Sequence, residues 1–101
     1  MKRNIVETTV GTYELIKNQK EAFDIVKFQE RYVEEIYDKY EYIIGDVSSE
    51  MLRLKGFYED LNKPQNVKEI PIYLNETCNY NTAYFILKRI TLKWLVYYLL
   101  S

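Results

Sequence analysis

The feature that most constrains the fold is a run of apolar residues spaced four apart. It consists of Phe28, Tyr32, Ile36 and Tyr40. Side chains four positions apart lie on the same face of an α-helix, one turn above another. Because charged residues fill the opposite face, the pattern predicts one long amphipathic helix over about residues 20–39.

Start signals for two helices can be read from the sequence. Asn18 followed by Glu21 resembles a capping box for the long helix, and Asp24 is a competing N-cap. A second, shorter helix is predicted from Pro71 to about Cys78, because proline is favoured in the first helical turn. This short helix would need tertiary contacts to be stable.

Apolar patterns also predict a hairpin before the long helix and a strand near the end of the domain. Residues 6–10 and 13–17 read as strands, and Gly11 followed by Thr12 predicts a tight turn between them. Residues 83–91 are apolar on both faces in their first half. That pattern is typical of a central strand.

The middle of the chain predicts two further strands around a polar stretch. Residues 42–44 are predicted to form a short buried strand, which ends at a turn formed by Gly45 and Asp46. Residues 51–58 form the next strand, whose side chains alternate between two faces. The predicted core face carries Leu52, Leu54 and Tyr58. The other face carries Arg53, Lys55 and Phe57.

These elements predict a single small α+β domain over residues 1–91. The sheet is mainly antiparallel and is packed by one long and one short helix. The order of elements is compatible with a ferredoxin-like, split βαβ arrangement with the helices on one face. A chain of 101 residues is long enough for one hydrophobic core and too short for two.

Residues 92–101, LKWLVYYLLS, form a separate apolar and aromatic segment. The segment is far shorter than the roughly 20 residues that a membrane-spanning helix needs. Two interpretations stay open. The segment is either a core element or an interface with a protein partner or a second copy of the chain, with Trp94, Tyr97 and Tyr98 as anchors.

Composition and charge exclude several functions. The chain has no His and one Cys, which rules out Ser-His-Asp and Cys-His catalysis, His-based metal sites and an internal disulfide. The sequence predicts neither a metal site nor a cofactor. A formal net charge of -1 argues against a broad nucleic-acid surface, although a local basic patch stays open. The N-terminus does not read as a signal peptide, so a cytoplasmic location is expected.

Asp46, Arg53 and Lys55 form the first candidate site. In the structural interpretation, Asp46 shapes a turn and the two cations are solvated. In the anion-site interpretation, Arg53 and Lys55 point the same way from one strand and hold a phosphate or carboxylate. A third interpretation adds Asp46 as a general base, but no further acid or nucleophile completes a catalytic set.

Phe57 beside these cations raises an RNA-binding alternative. Lys55-Gly56-Phe57 matches the opening of the RRM signature, which places stacking aromatic residues on a sheet face. The match ends there, because Glu59 and Asp60 follow and repel phosphate. RNA binding is therefore kept only as a further alternative.

Several segments resemble one protein family. They include Tyr42-Ile43-Ile44-Gly45-Asp46, Leu52-Arg53-Leu54-Lys55-Gly56-Phe57-Tyr58, Tyr73-Leu74, Glu76, Cys78-Asn79, Ala83-Tyr84-Phe85 and Leu87-Lys88. Together they are similar to the YutD-like family of Gram-positive bacteria, over about residues 13–89. The resemblance implies a small cytoplasmic α+β protein, and it brings no established activity, substrate or cofactor.

The chain departs from that family pattern in two places. Val47 and Ser48 stand where Trp and Gly usually follow Gly-Asp, which alters any surface built on that tryptophan. Thr82 stands where a second cysteine is often found after Cys78. A cysteine pair is therefore not essential in this member.

Taken together, these patterns predict a non-catalytic binding or regulatory module that acts through a protein partner. The candidate contact residues are Asp46, Arg53, Lys55 and Phe57. The alternative is a small enzyme or an anion-binding protein for a phosphorylated or acidic small molecule. A weak RNA binder is the further alternative.

Overall fold

In the computed structural model of the chain, residues 3–76, 82–90 and 100 are described. They form a five-stranded sheet in which all neighbouring strands are antiparallel. The strands are β1 (Ile5–Thr8), β2 (Gly11–Gln19), β3 (Tyr42–Ser48), β4 (Met51–Phe57) and β5 (Ala83–Arg89). Their order, β1-β2-β5-β3-β4, confirms the central position predicted for the last strand.

The helices of the described residues are short. They are α1 (Ile25–Arg31), α2 (Glu34–Tyr37) and α3 (Ile70–Glu76). A 3₁₀ turn at Val67–Glu69 leads into α3. A capping box formed by Asn66 and Glu69 caps the N-terminus of this turn. No helix of residues 3–76, 82–90 and 100 is long and apolar enough to cross a membrane.

The first helix starts at Asp24, the later of the two predicted starts. The side chain of Asp24 accepts hydrogen bonds from the backbone amides of Val26 and Lys27, which satisfies two donors that a helix start leaves unpaired. The side chain of Asn18 accepts instead from the backbone amide of Phe23. The capping box predicted at Asn18 is therefore wrong.

The single long helix predicted over residues 20–39 is also wrong. The chain becomes extended at Tyr32 and Val33, which separates α1 from α2. Tyr32 is buried beside Phe28, with 5.7 Å between the ring centroids. Tertiary packing of this ring therefore overrides the four-residue periodicity, which local sequence alone would extend.

The hydrophobic core lies between α1 and one face of the sheet, which we call the aromatic face. Its buried residues are Tyr13, Phe28, Tyr32, Ile43, Leu52, Phe85 and Leu87. Phe28 meets Phe85 edge-on, with 6.2 Å between the ring centroids. Leu52 and Leu54 belong to this face, as predicted. Tyr58 follows the end of β4 and is half-buried.

The opposite face of the sheet, the second face, carries the candidate site. Its residues on β3 and β4 include Ile44, Asp46, Arg53, Lys55 and Phe57. The ring of Tyr73 in α3 packs against Phe57, with 5.6 Å between the centroids. Because α1 and α3 contact opposite faces, the expectation of helices on one face is wrong. The ferredoxin-like arrangement is not confirmed.

The turn of the first hairpin lies two residues earlier than predicted. Thr8 pairs with Gly11, so Thr9 and Val10 form the turn and Gly11 opens β2. The hydroxyl of Thr8 donates to the carbonyl of Gly11 over 2.7 Å. This side-chain contact stabilises the turn at Thr9 and Val10, before Gly11, instead of at Gly11 and Thr12.

Gly45 and Asp46 do not stop β3, which continues to Ser48. Gly45 lets the ring of Phe85 pack closely against β3, because a Cβ atom at position 45 would lie 2.1 Å from that ring. The chain turns at Ser49 and Glu50, whose φ angles are 52° and 65°. Two consecutive positive φ angles are typical of a tight hairpin turn, in which Asn and Gly are the favoured residues.

Replacing Gly45 by Ala should destabilise the protein by about 2–3 kcal/mol, because the added methyl group overpacks the aromatic face. Urea unfolding followed by circular dichroism gives the free energy of unfolding. The double variant Gly45→Ala, Phe85→Leu removes the clashing ring edge and should recover part of the loss. Equal losses in the single and double variants would contradict this account of Gly45.

Replacing Glu50 by Gly should stabilise the protein by about 0.5–1 kcal/mol, because glycine adopts positive φ without a steric penalty. The matched control is Glu35→Gly, a glutamate in α2, which should lose about 1 kcal/mol. Both changes are measured as shifts of the urea midpoint. A destabilised Glu50→Gly variant would show that the turn is not strained.

Candidate functional site

Asp46 is a fully buried carboxylate in the interior of the sheet. It lies in β3, between β5 and β4, and 0% of its surface is exposed. A buried carboxylate is tolerated only where hydrogen-bond donors replace water. The donors around Asp46 therefore define the site.

Arg53 supplies two of these donors from the neighbouring strand. It stands directly opposite Asp46 in the register of β3 and β4. Its Nε donates to Oδ2 of Asp46 over 3.0 Å, and its Nη2 donates to the same oxygen. The side chain of Arg53 is 48% exposed. The interpretation of Asp46 as a turn residue is therefore wrong, because its side chain joins two strands.

Tyr73 supplies a further donor from α3. Its hydroxyl donates to Oδ1 of Asp46 over 3.2 Å, so both carboxylate oxygens are hydrogen-bonded. Sequence reasoning did not assign Tyr73 to the site. The sequence did contain a signal for Tyr73. A short helix needs tertiary support, and an aromatic residue inside it is a candidate for the supporting contact. The contact joins residues 27 positions apart, which no local pattern reveals.

Lys55 and Phe57 line an open groove of about 410 Å³ between β4 and α3, which we call the α3 groove. Its lining includes Lys55, Phe57, Glu69, Ile72, Tyr73 and Glu76. Phe57 is 2% exposed, whereas Ile72 is 55% exposed. Within the part of the chain that the structure describes, Lys55 makes no ion pair.

The structure brings Asp46 and Arg53 together and keeps Lys55 apart from that pair. Arg53 and Lys55 leave the same face of β4, as predicted. The α3 groove, however, is lined by neither Asp46 nor Arg53. A phosphate held by both cations would compete with Asp46 for Arg53. A general base needs an accessible oxygen, and the two oxygens of Asp46 are already bonded.

A second polar cluster lies at the end of β5 and was not predicted from the sequence. Nη2 of Arg89 donates to the hydroxyl of Tyr32 over 2.6 Å and to the carbonyl of Tyr37 over 3.2 Å. Its Nε donates to the carbonyl of Tyr40 over 3.2 Å. The hydroxyl of Tyr32 in turn donates to Asp38 over 2.6 Å. These bonds tie the region around α2 to the sheet.

Tyr13 and Tyr32 are the buried phenols of this cluster. The guanidinium carbon of Arg89 lies 5.1 Å from the centre of the Tyr13 ring, a cation–π contact. Burial raises the pKa of the Tyr13 hydroxyl. Burial, followed by the hydrogen bond to Asp38, raises the pKa of the Tyr32 hydroxyl. Both phenols therefore stay neutral at physiological pH, and we assign the cluster a structural role.

Several predicted features fall outside the described residues. Trp94, Tyr97 and Tyr98 of the C-terminal segment do so, as does Cys78. Among residues 3–76, 82–90 and 100, no three Asp or Glu side chains are grouped in a way that could hold a metal ion. The alternatives for residues 92–101 therefore stay predictions.

The fold and the site define a small α+β domain with a five-stranded antiparallel sheet. One face holds the aromatic core, and the other holds a buried ion pair beside an open groove.

Comparisons with known proteins agree with this description. The family model described as "Putative antitoxin YutD-like" matches residues 7–88. The chain is 42% identical over 82 residues to the "Putative antitoxin YutD" of Bacillus subtilis (strain 168), covering 77% of this chain and 89% of that protein. The solution NMR structure of protein yutD from B. subtilis has a TM-score of 0.69 at 38% identity, covering 85% of this chain and 81% of that one. The chain belongs to the YutD-like family, which confirms the resemblance noted in its sequence.

Replacing Arg53 by Met should destabilise the protein by about 1–2 kcal/mol, because the buried carboxylate of Asp46 loses two donors. Half of the Arg53 side chain is exposed, so solvent screening limits the loss. The matched control is Arg31→Met at the end of α1, which should lose no more than about 0.5 kcal/mol. Equal losses of unfolding free energy in the two variants would contradict the role given to Arg53.

Proposed function

We propose that this chain is an antitoxin that acts as a non-catalytic binding module and holds a protein toxin in the α3 groove. The family to which the chain belongs is described as antitoxin-like, which supplies the antitoxin class, and an antitoxin by definition counteracts a toxin. The observation that carries the non-catalytic mode is the state of Asp46. The best catalytic candidate in the sequence is buried, with both oxygens bonded to Arg53 and Tyr73.

The chemistry of the α3 groove supports a protein as its occupant. Aromatic Phe57 and Tyr73 line it, and the exposed aliphatic side chain of Ile72 stands among them. Lys55 adds a cation that forms no ion pair among the described residues. Apolar anchors with charged neighbours are typical of protein interfaces.

The partner is expected to insert side chains instead of adding a strand to the edge of β4. The carbonyl of Leu54 already accepts a hydrogen bond from the hydroxyl of Tyr37 over 3.3 Å. The carbonyl of Gly56 accepts one from the side-chain amide of Gln65. Beyond the strand, Tyr58 forms a bridge with Asn66. An edge covered in this way is a poor template for a further strand.

The proposal is tested by affinity capture of the tagged full chain from a nuclease-treated lysate of the cells that produce it, followed by quantitative mass spectrometry. One protein should be retained by the wild type and reduced at least about tenfold by Ile72→Glu, which puts a charge into the groove. The matched control is Val26→Glu. Val26 is 56% exposed in the first turn of α1, and Ile72 is 55% exposed in the first turn of α3.

The antitoxin assignment has its own readout. Expression of the captured protein alone should arrest growth, and co-expression of the chain should restore it, whereas the Ile72→Glu variant should not. Capture that is equal in the Ile72→Glu and Val26→Glu variants would exclude the α3 groove as the interface. A protein captured from an untreated lysate but not from the nuclease-treated one would support RNA binding instead.

A further inference from the structure

We propose that α3 is a movable wall of the α3 groove, and that the hydrogen bond from Tyr73 to Asp46 is the latch that holds it against the sheet. The proposal rests on the binding role given to the groove, and it adds how that site is opened and closed.

The helix α3 is not stable by itself. Its described residues are Ile70–Glu76, and none of these is buried. Isolated helices shorter than about 12 residues are marginal in water, so α3 depends on tertiary contacts. The 3₁₀ turn that leads into it is held by the capping box of Asn66 and Glu69. The start of the helix is therefore a fixed pivot, and the turns after it depend on what they touch.

Tyr73 makes the contact that positions α3 on the second face. Its ring packs edge-on against Phe57, and its hydroxyl reaches Oδ1 of Asp46 over 3.2 Å. Asp46 is held in place independently, because Arg53 binds its other oxygen. One half of the latch is therefore fixed in the sheet, and the other half belongs to the helix. A hydrogen bond to a carboxylate is among the stronger ones in a protein.

Movement of α3 changes the α3 groove directly. Glu69, Ile72, Tyr73 and Glu76 line it from the helix side, while Lys55 and Phe57 line it from β4. With the latch closed, the ring of Tyr73 lies on Phe57, which is 2% exposed. With the latch open, Phe57 loses this cover and becomes available to a partner. A partner that prefers one of the two states shifts their populations.

The test is amide hydrogen exchange of the full chain, measured by NMR and requiring no ligand. The variant Tyr73→Phe keeps the ring and removes only the hydroxyl. In the wild type, Leu74 and Asn75 in α3 should exchange faster than the amides of β3 and β5, and in Tyr73→Phe their exchange should accelerate at least about tenfold. The matched control is Tyr37→Phe, which removes a tyrosine hydroxyl bonded to β4 at the carbonyl of Leu54. It should leave exchange in α3 unchanged.

Two outcomes would contradict the proposal. If exchange in α3 is the same in the Tyr73→Phe and Tyr37→Phe variants, the latch is excluded. If Leu74 and Asn75 in the wild type exchange as slowly as the amides of β3 and β5, α3 opens only with the whole domain, and the movable wall is excluded.

Lysate capture with the same variants separates the latch from the proposed function. Faster exchange in α3 together with a changed yield of the captured protein supports both. Faster exchange with an unchanged yield supports the latch and contradicts the groove as the partner site.

Discussion

The second face of the sheet depends on one buried charge, the carboxylate of Asp46. Water does not reach it, so donors from Arg53 and Tyr73 must take the place of water. These donors come from β4 and from α3, and satisfying the charge therefore fixes how both elements lie against β3. The same bonds occupy the oxygens that a general base would need. One electrostatic requirement thus organises this face and makes Asp46 a structural residue instead of a reactive one.

The two faces of the sheet are built in different ways. The aromatic face is held by interlocking rings around Phe28 and Phe85, and Gly45 makes room for the ring of Phe85. At the end of β5, Arg89 donates hydrogen bonds to the hydroxyl of Tyr32 and to the carbonyls of Tyr37 and Tyr40. By contrast, α3 on the second face buries none of its residues. Local opening in proteins concentrates where little apolar surface is buried, and this places the adaptable part of the domain beside the groove.

Membership of the YutD-like family gives this arrangement a context. The sequence resemblance implies a departure from the family pattern at Val47, where it leads one to expect Trp. Val47 packs against the aromatic core, whereas Lys55 and Phe57 line the groove from the opposite face. This departure therefore changes core packing and leaves the lining of the α3 groove as it is. The antitoxin proposal and the latch both depend on residues of the second face, where Asp46, Arg53, Lys55 and Phe57 fall within the segments that carry the family resemblance.

The sequence by itself determined the features that arise from neighbouring residues. Alternation along residues 51–58 correctly separated Leu52 and Leu54 from Arg53 and Lys55, because successive side chains of a strand must face opposite ways. Only the tertiary structure decided the rest. Tyr32 breaks the predicted helix because its ring belongs to the core, and the buried carboxylate of Asp46 finds a hydrogen-bond donor in Tyr73, 27 residues away. Arg89 and Tyr32 meet across 57 residues. Such contacts form only when the chain packs, and their energies then outweigh local preferences for a helix or a turn.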